Sequence, residues 1–162
     1  MKRIVKSLRP LRPLCALALL TACVNPTKAP PILPEVPIES TTFATSLGVN
    51  LATSTKVNGV YVRDIVVGTG PAVQPGQSLA MHYSGYLANG TLFDSNTGNT
   101  PFVFQLNRGQ VISGWDIGIQ GMNVGGKRQL IIPPSLGYGT TPVTGIPQNS
   151  VLVFNVEVVS AQ

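Results

Sequence analysis

The sequence predicts an α+β domain in which a small antiparallel sheet packs against one short helix. Most runs after Gly59 are rich in β-branched and aromatic residues or alternate apolar with polar positions, as strands do. Gly, Pro and Asn turns separate them, and only residues 111–122 repeat apolar positions at helical spacing. A single amphipathic helix in a β-rich domain has to bury its apolar face on the sheet.

The helix is predicted within Val111–Met122. Ser113 and, three residues later, Asp116 form the pattern of a capping box, whose side chains bond free N–H groups of the first turn. The only Trp of the chain, Trp115, recurs with Ile119 and Met122 at spacings of four and three, which gives one apolar face. Glycines at 121, 125 and 126 are expected to end the helix soon after.

The expected strands are separated by clear turn signals. Asn58-Gly59 precedes the first strand, and Pro133-Pro134 ends the fifth because proline cannot donate to a ladder. Residues 136–150 are expected to form a long loop containing Gly and Pro. The strand segments are residues 60–67, 78–87, 91–94, 102–107, 127–132 and 151–159. Because side chains alternate between faces, Leu152, Phe154, Val156 and Val158 should share one face of the last strand.

The formal charge of +5 is confined to the start of the chain. Five of the 11 Lys and Arg residues lie within the first dozen positions, which leaves six against six acidic residues in the remainder. The domain is therefore close to neutral, and a nucleic-acid function loses its main support.

Residues 1–22 have the layout of a secretory signal, with a basic start and a short apolar run from Leu14 to Leu20. That run is too short to span a bilayer as a mature helix. The segment ends in Leu20-Thr21-Ala22-Cys23, which resembles the lipobox of bacterial lipoproteins, where the Cys is acylated after cleavage. We therefore expect lipidation at Cys23, and Val24 rather than Asp after it favours the outer membrane. With Cys15 removed and Cys23 lipidated, no disulfide is expected.

Residues 23–56 are expected to connect the lipid to the domain, which is taken to be residues 57–162. Asn25–Ser40 contains five prolines and no sustained apolar period, as in an extended spacer. Thr41–Lys56 remains open, because Phe43, Leu47 and Leu51 could dock on the domain or Phe43 and Leu47 could mark one helical turn.

The usual catalytic groupings are missing from the sequence. His82 is the only His, no second mature Cys accompanies it, and no phosphate-binding or nucleophile motif is found. His82 is interpreted as a solvent-facing strand residue. We expect neither a metal nor another cofactor, and a hydrolase is disfavoured.

Several blocks in register resemble the FKBP family of peptidyl-prolyl cis-trans isomerases over residues 57–161. They are His82-Tyr83-Ser84-Gly85, Phe93-Asp94-Ser95, Pro101-Phe102-Val103-Phe104, Val111-Ile112-Ser113-Gly114-Trp115, Ile131-Ile132-Pro133, Tyr138-Gly139, Ile146-Pro147 and Leu152-Val153-Phe154. The resemblance implies a five- to six-stranded antiparallel sheet wrapped around one short helix, with an apolar pocket for a prolyl side chain between them.

The resemblance also implies roles for individual residues. Trp115 would form the pocket floor, the Ile112 N–H would bond a substrate carbonyl, the Tyr138 hydroxyl would reach another polar group, and Asp94 would lie at the edge. The walls would be Tyr83, Phe93, Phe102, Val111, Ile112, Ile146 and Phe154. The loops at 96–100 and 140–145 are shorter than in the best-known members, and the first lacks the Arg that usually pairs with the acid at the Asp94 position.

Prolyl isomerisation suits a site without a nucleophile, because rotation about X–Pro breaks amide resonance and no covalent bond. We expect an isomerase that is lipid-anchored in the bacterial envelope, and we expect a monomer because no dimerising helical arm is visible before Phe43. Its partners would be proline-containing segments of exported proteins, and macrolides would inhibit it. The alternative is an FKBP-shaped binding module that holds an envelope partner without useful catalysis.

Overall fold

A computed structural model describes residues 35–141 and 143–162. The predicted signal sequence, Cys23 and the part of the predicted tether up to residue 34 lie outside the described residues. The strands are β1 (Thr55–Val57), β2 (Val60–Val66), β3 (Ser78–Leu87), β4 (Leu92–Ser95), β5 (Phe102–Gln105), β6 (Lys127–Ile132) and β7 (Leu152–Ala161), with one α-helix, α1 (Ser113–Ile119). No helix within the described ranges is long and apolar enough to cross a membrane.

The described strands form one antiparallel sheet in the order β1-β2-β6-β7-β3-β4, and β5 also pairs with β3. β7 lies between β6 and β3 and is hydrogen-bonded to both along most of its length. β3 carries β5 on its first half and β4 on its second half. This topology confirms the FKBP-like α+β fold, with β1 as an additional strand beyond the expected five or six.

β1 was not predicted because its three residues show no alternation of apolar and polar positions. It forms a hairpin with β2 through Asn58 and Gly59, which have φ angles of 45° and 92°. Positive φ at both central residues is the geometry of the two-residue turn that follows the twist of paired strands.

The predicted helix is present, but the predicted capping box is wrong. α1 begins at Ser113, its N-cap is Ile112, and no side chain caps it. Asp116 instead accepts a hydrogen bond of 2.8 Å from the backbone N–H of Asn107, in the loop before the helix. A box residue has to occupy the N-cap with extended backbone, and Ser113 lies one residue too far into the helix.

The apolar face of the helix is buried as predicted. Trp115, Ile119 and Met122 are at most 5% exposed, although Met122 lies beyond the end of α1. The helix approaches β6 closely, because a Cβ at Gly114 would lie 2.4 Å from Ile132 and one at Gly118 would lie 2.7 Å from Leu130. Two glycines one turn apart therefore let the helix backbone rest directly on the sheet.

The opposite face of the sheet is partly covered by residues 35–53, contrary to the expected tether ending at Lys56. Three short 3-10 helices, Ile38–Ser40, Thr45–Leu47 and Leu51–Thr53, run across it. Ile38 and Leu47 pack with Ile131, Val151 and Val153 in a second apolar cluster. Residues 35–56 therefore belong to the same compact unit as the strands. The docking alternative for Thr41–Lys56 is confirmed.

Gln129 fixes this segment to the sheet. It is 1% exposed, and its amide nitrogen donates to the Leu47 carbonyl at 2.8 Å and to the Asn155 side chain at 3.2 Å. The Arg63 guanidinium donates to the Gln129 side-chain oxygen and to the Gly48 carbonyl. A buried polar group costs little when its hydrogen bonds are satisfied, so this network joins segment and sheet.

Candidate functional site

The main cavity on the helix side lies between the start of α1, the strands β3, β4 and β5, and the start of β7. Its volume is about 280 Å³. The lining residues are mostly aromatic or aliphatic, with a few polar groups at the mouth. They are Tyr83, Phe93, Asp94, Phe102, Gln110, Val111, Ile112, Trp115, Tyr138 and Phe154.

Aromatic rings pack edge to face around the floor of the cavity. The Trp115 ring centroid lies 5.1 Å from that of Tyr83 and 5.3 Å from that of Phe154, at interplanar angles of 77° and 86°. Phe93 packs against Phe154 at 5.5 Å, and Phe102 lies 6.3 Å from Trp115. These separations and angles lie within the favourable range for aromatic pairs, so the rings hold each other in a rigid, concave wall.

A glycine on β3 makes room for two of these rings. A Cβ at Gly85 would lie 2.6 Å from the Phe154 ring and 2.7 Å from the Phe93 ring. Because β3 alternates its side chains, Gly85 points to the same face as Tyr83 and leaves space beside it. The absence of a side chain at Gly85 therefore provides the space that the Phe93 and Phe154 rings occupy.

The polar groups at the mouth are coupled. The Tyr83 hydroxyl donates to Asp94 Oδ2 at 2.6 Å. Burial, and then the hydrogen bond to Asp94, raise the pKa of Tyr83 to about 12. Burial, followed by the negative charge of Asp94, also raises the pKa of Tyr138. Both hydroxyls therefore stay protonated at neutral pH and can donate hydrogen bonds.

The Ile112 backbone N–H is free for a ligand in the geometry of the described residues. Ile112 has φ −62° and ψ 147° and is the N-cap of α1, and no protein acceptor lies within hydrogen-bond range of its N–H. Its assigned role as a donor to a substrate carbonyl stays a prediction. The Trp115 Nε1 is also buried and has no partner among the described residues.

Nine of the ten predicted site residues line the cavity, and Ile146 does not. Ile146 is 4% exposed and packs in the helix-side core, where its N–H bonds the Val143 carbonyl in a turn of the long loop. It lies behind the wall and not on its surface.

Gln110 lines the cavity and was missed. Its side-chain oxygen accepts a 2.7 Å hydrogen bond from the Gln105 N–H, which holds the loop before α1 against β5. A polar residue in an irregular loop gives no sequence signal of its own. Its position directly before Val111 was the available clue.

His82 lies on the sheet face opposite the helix, as expected. It is half-buried rather than solvent-facing, and its Nδ1 is enclosed without a partner in the described part of the chain. It pairs across the sheet with Glu157 on β7. It does not line the main cavity.

The sequence model of the FKBP-type peptidyl-prolyl cis-trans isomerase family matches residues 70–159, which span the cavity and most of the sheet. The chain belongs to this family. The FKBP domain is also similar to the solved structure of AtFKBP13, with 40% identity, a TM-score of 0.59, and coverage of 67% of this chain and 100% of the other. FkpA from Escherichia coli matches at 36% identity and a TM-score of 0.63, over 68% of this chain and 52% of FkpA.

Curated relatives with the FKBP domain are longer proteins. FK506-binding protein 3 of Yarrowia lipolytica is 48% identical over 110 residues, which are 68% of this chain and 27% of that protein. The peptidyl-prolyl cis-trans isomerase of Saccharomyces cerevisiae is 49% identical over 102 residues, or 63% of this chain and 25% of that protein. The chain thus spans about a quarter of the length of these relatives.

Proposed function

We propose that this chain is a peptidyl-prolyl cis-trans isomerase that binds X–Pro segments in the aromatic cavity. The observation that carries the proposal is the combination of a preformed apolar cavity of about 280 Å³ with protonated hydroxyls and a free N–H at its mouth. A prolyl ring fits such a space, and the hydrophobic walls disfavour water within it.

The chemistry requires stabilisation of a twisted amide. Rotation about X–Pro faces a barrier of about 18–20 kcal/mol because conjugation between nitrogen and carbonyl is lost. The planar amide is more polar than the twisted amide, so an apolar cavity disfavours the planar form by comparison. Any contact that is stronger to the twisted form than to the planar form lowers the barrier.

The mouth residues would orient the rotating segment. The Ile112 N–H would hold a carbonyl beside the prolyl ring, and the Tyr138 hydroxyl would bind a second polar group. Tyr83, whose hydroxyl already donates to Asp94, would pack its ring on the prolyl group. These contacts fix one side of the peptide bond while the other side turns, and the chain needs no nucleophile for that step.

The decisive experiment measures cis-to-trans relaxation of short peptides with varied residues before proline, with the full chain and with a proline-site macrolide. Acceleration that the macrolide abolishes would support the isomerase. Phe93→Ala and Trp115→Ala should each weaken ligand binding, whereas Leu47→Ala, on the opposite face of the sheet, should not. Normal binding in both pocket variants would place the site elsewhere. No acceleration by folded protein that still binds the macrolide would favour the binding-module alternative.

We further propose that the protein is a lipoprotein of the bacterial envelope, anchored in the outer membrane and facing the periplasm, where it assists folding of exported proteins. The support is the basic, apolar leader followed by Leu20-Thr21-Ala22-Cys23. The test is fractionation of cells that express the wild type or Cys23→Ser. The variant should move to the soluble periplasmic fraction, and unchanged membrane partitioning would contradict the lipid anchor.

A further inference from the structure

Asp94 is the one charged residue among the described residues that line the cavity. Its side chain is exposed at the mouth, and it accepts one hydrogen bond, from the Tyr83 hydroxyl to Oδ2. Within the described residues, no other protein donor bonds the carboxylate, so Oδ1 has no protein hydrogen-bond partner. A carboxylate has about four sites that can accept hydrogen bonds, so most of its capacity is unused.

No described Lys or Arg neutralises Asp94. Lys56, Lys127 and Arg128 form ion pairs with Glu39, Glu157 and Asp64, each on other parts of the sheet.

Neither of the two remaining described cations pairs with Asp94. Arg63 donates to Gly48 and Gln129 on the outer face. The Arg108 guanidinium lies 3.9 Å from the position that a Cβ of Gly76 would take, and it forms no ion pair with Asp94 among the described residues. The mouth of the cavity therefore carries one negative charge without a counter-charge from the described chain.

The field of this charge extends over the mouth. Asp94 contributes to the raised pKa of Tyr138, which is on a different loop, as well as to that of Tyr83. The aromatic walls between them have a lower effective dielectric constant than water, so they screen the charge less than bulk solvent does. A ligand group at the mouth would experience the same field.

We propose that Asp94 selects X–Pro segments with a Lys or Arg directly before or after the proline. The inference rests on the proposed prolyl-peptide site and names the class of segment that the site prefers. A cationic side chain directly before or after the proline would pair with the Asp94 carboxylate, which has no Lys or Arg partner among the described residues. An acidic neighbour is disfavoured by the same charge.

The test compares two matched peptides that differ only in Lys versus norleucine, an uncharged residue of similar length, at the position before the proline, and a second pair varied after it. Binding to the full chain is followed by the fluorescence of Trp115, the one Trp in the sequence and a residue of the cavity wall. We expect the Lys peptide of at least one pair to bind about two- to fivefold more tightly, the range of an exposed ion pair. The ratio should fall as salt is raised.

Asp94→Asn removes the charge and keeps an oxygen that can accept from Tyr83, so the Lys/norleucine ratio should fall to about one. Glu157→Gln removes the same charge on the opposite face and should leave the ratio unchanged. A ratio of one in the wild type for both pairs, or an unaltered ratio in Asp94→Asn, would overturn the proposal. Because binding is measured apart from turnover, a lack of isomerase activity would refute the proposed function and leave the selectivity to be judged by these ratios.

Discussion

The two faces of the sheet use apolar residues in different ways. On the helix side, rings from α1, β3, β4, β5 and β7 surround a cavity of about 280 Å³. On the outer side, residues 35–53 lie on β2, β6 and β7 and bury Ile38 and Leu47 against the sheet. Close packing gives a protein interior most of its stability. A wall that borders a cavity lacks part of these packing contacts and of the stability they contribute. The comparison indicates that the outer face stabilises the scaffold while the helix face keeps its ligand site open.

β7 shows the difference within one strand. Leu152, Phe154, Val156 and Val158 face the helix, whereas Val153, together with Val151 directly before the strand, is buried under the N-terminal segment. The same strand thus contributes to a ligand wall and to the second apolar cluster. Changes on the outer side should alter stability, and changes at the cavity should alter binding.

Removal of the outer cover should have the largest effect. A chain that begins at Ser54 lacks Ile38 and Leu47, whose side chains are 3% and 8% exposed in the intact protein. Their apolar partners on the sheet therefore become exposed. Burial of each such side chain contributes about 1.5–3 kcal/mol, so we expect a loss of about 3–6 kcal/mol. Urea unfolding followed by Trp115 fluorescence measures it. A chain that begins at Glu35 is the control, and equal midpoints for the two chains would show that the segment does not stabilise the sheet.

A matched pair of substitutions separates the faces at the next level. Leu47→Ala should cost about 2–3 kcal/mol of unfolding free energy through the cavity it leaves, with no change in macrolide affinity. Phe93→Ala removes a half-buried ring of the ligand wall and should lower that affinity at least about tenfold, as loss of a central aromatic contact does. Thermal unfolding and ligand titration of both variants test the separation. It would fail if Leu47→Ala weakened the ligand as much as Phe93→Ala.

Loss of the polar junction should have a moderate effect. Gln129→Leu leaves the Leu47 carbonyl and the Asn155 side chain without their buried donor, and such losses cost about 1–3 kcal/mol. Gln105→Leu, at an exposed position of β5, is the control and should change stability by about 0.5 kcal/mol or less. Similar unfolding midpoints for the two variants would contradict the role of Gln129 as an anchor.

The smallest effect is expected at Glu39, where Lys56 and Tyr61 donate to the carboxylate. The hydrogen bond from Lys56, then that from Tyr61, lower the pKa of Glu39 from 4.5 to about 2. A depressed acid pKa stabilises the fold above pH 4.5, and this contribution disappears as the pH falls from 4.5 towards 2.

The measurement is the thermal midpoint of wild type and Glu39→Gln across that range. The variant should melt slightly lower at pH 6, and the two curves should converge near pH 2. Equal gaps at both pH values would show that the Glu39 charge does not stabilise the docked segment.

The sequence predicted those secondary-structure elements whose bounds are determined by local residue patterns. β3 and β6 were found with their predicted bounds, because alternation and flanking turns decide them. The capping box failed because the Ser-x-x-Asp pattern does not say which residue is the N-cap. Residues 35–40 were predicted to lie in an extended spacer and Thr41–Lys56 was left open, since the apolar side chains of both segments have no period and find partners only on the outer face of β6 and β7.

The site was predictable to the extent that it uses aromatics at strand and helix ends. Nine of the ten predicted residues line the cavity, and the position of Ile146 outside its lining depends on the path of the long loop. Gln110 gave no comparable signal, because its place in the lining depends on how the irregular loop before α1 packs. The missing Arg partner of Asp94 was expected from the loop at 96–100, but the pairing of the other described cations depends on contacts between residues that are distant in sequence.

The central position of β7 has a consequence for how the chain folds as it emerges. β6 and β3 pair with β7 and not with each other, so without it the described strands divide into β1-β2-β6 and β3-β4-β5. β7 follows all the other strands along the chain, and neither group can complete its hydrogen bonds before it arrives. A nascent chain whose residues 152–161 have not yet left the ribosome presents two unpaired strand edges, those of β6 and β3, to its surroundings. We therefore expect a chain that lacks residues 152–161 to aggregate more readily than the complete domain.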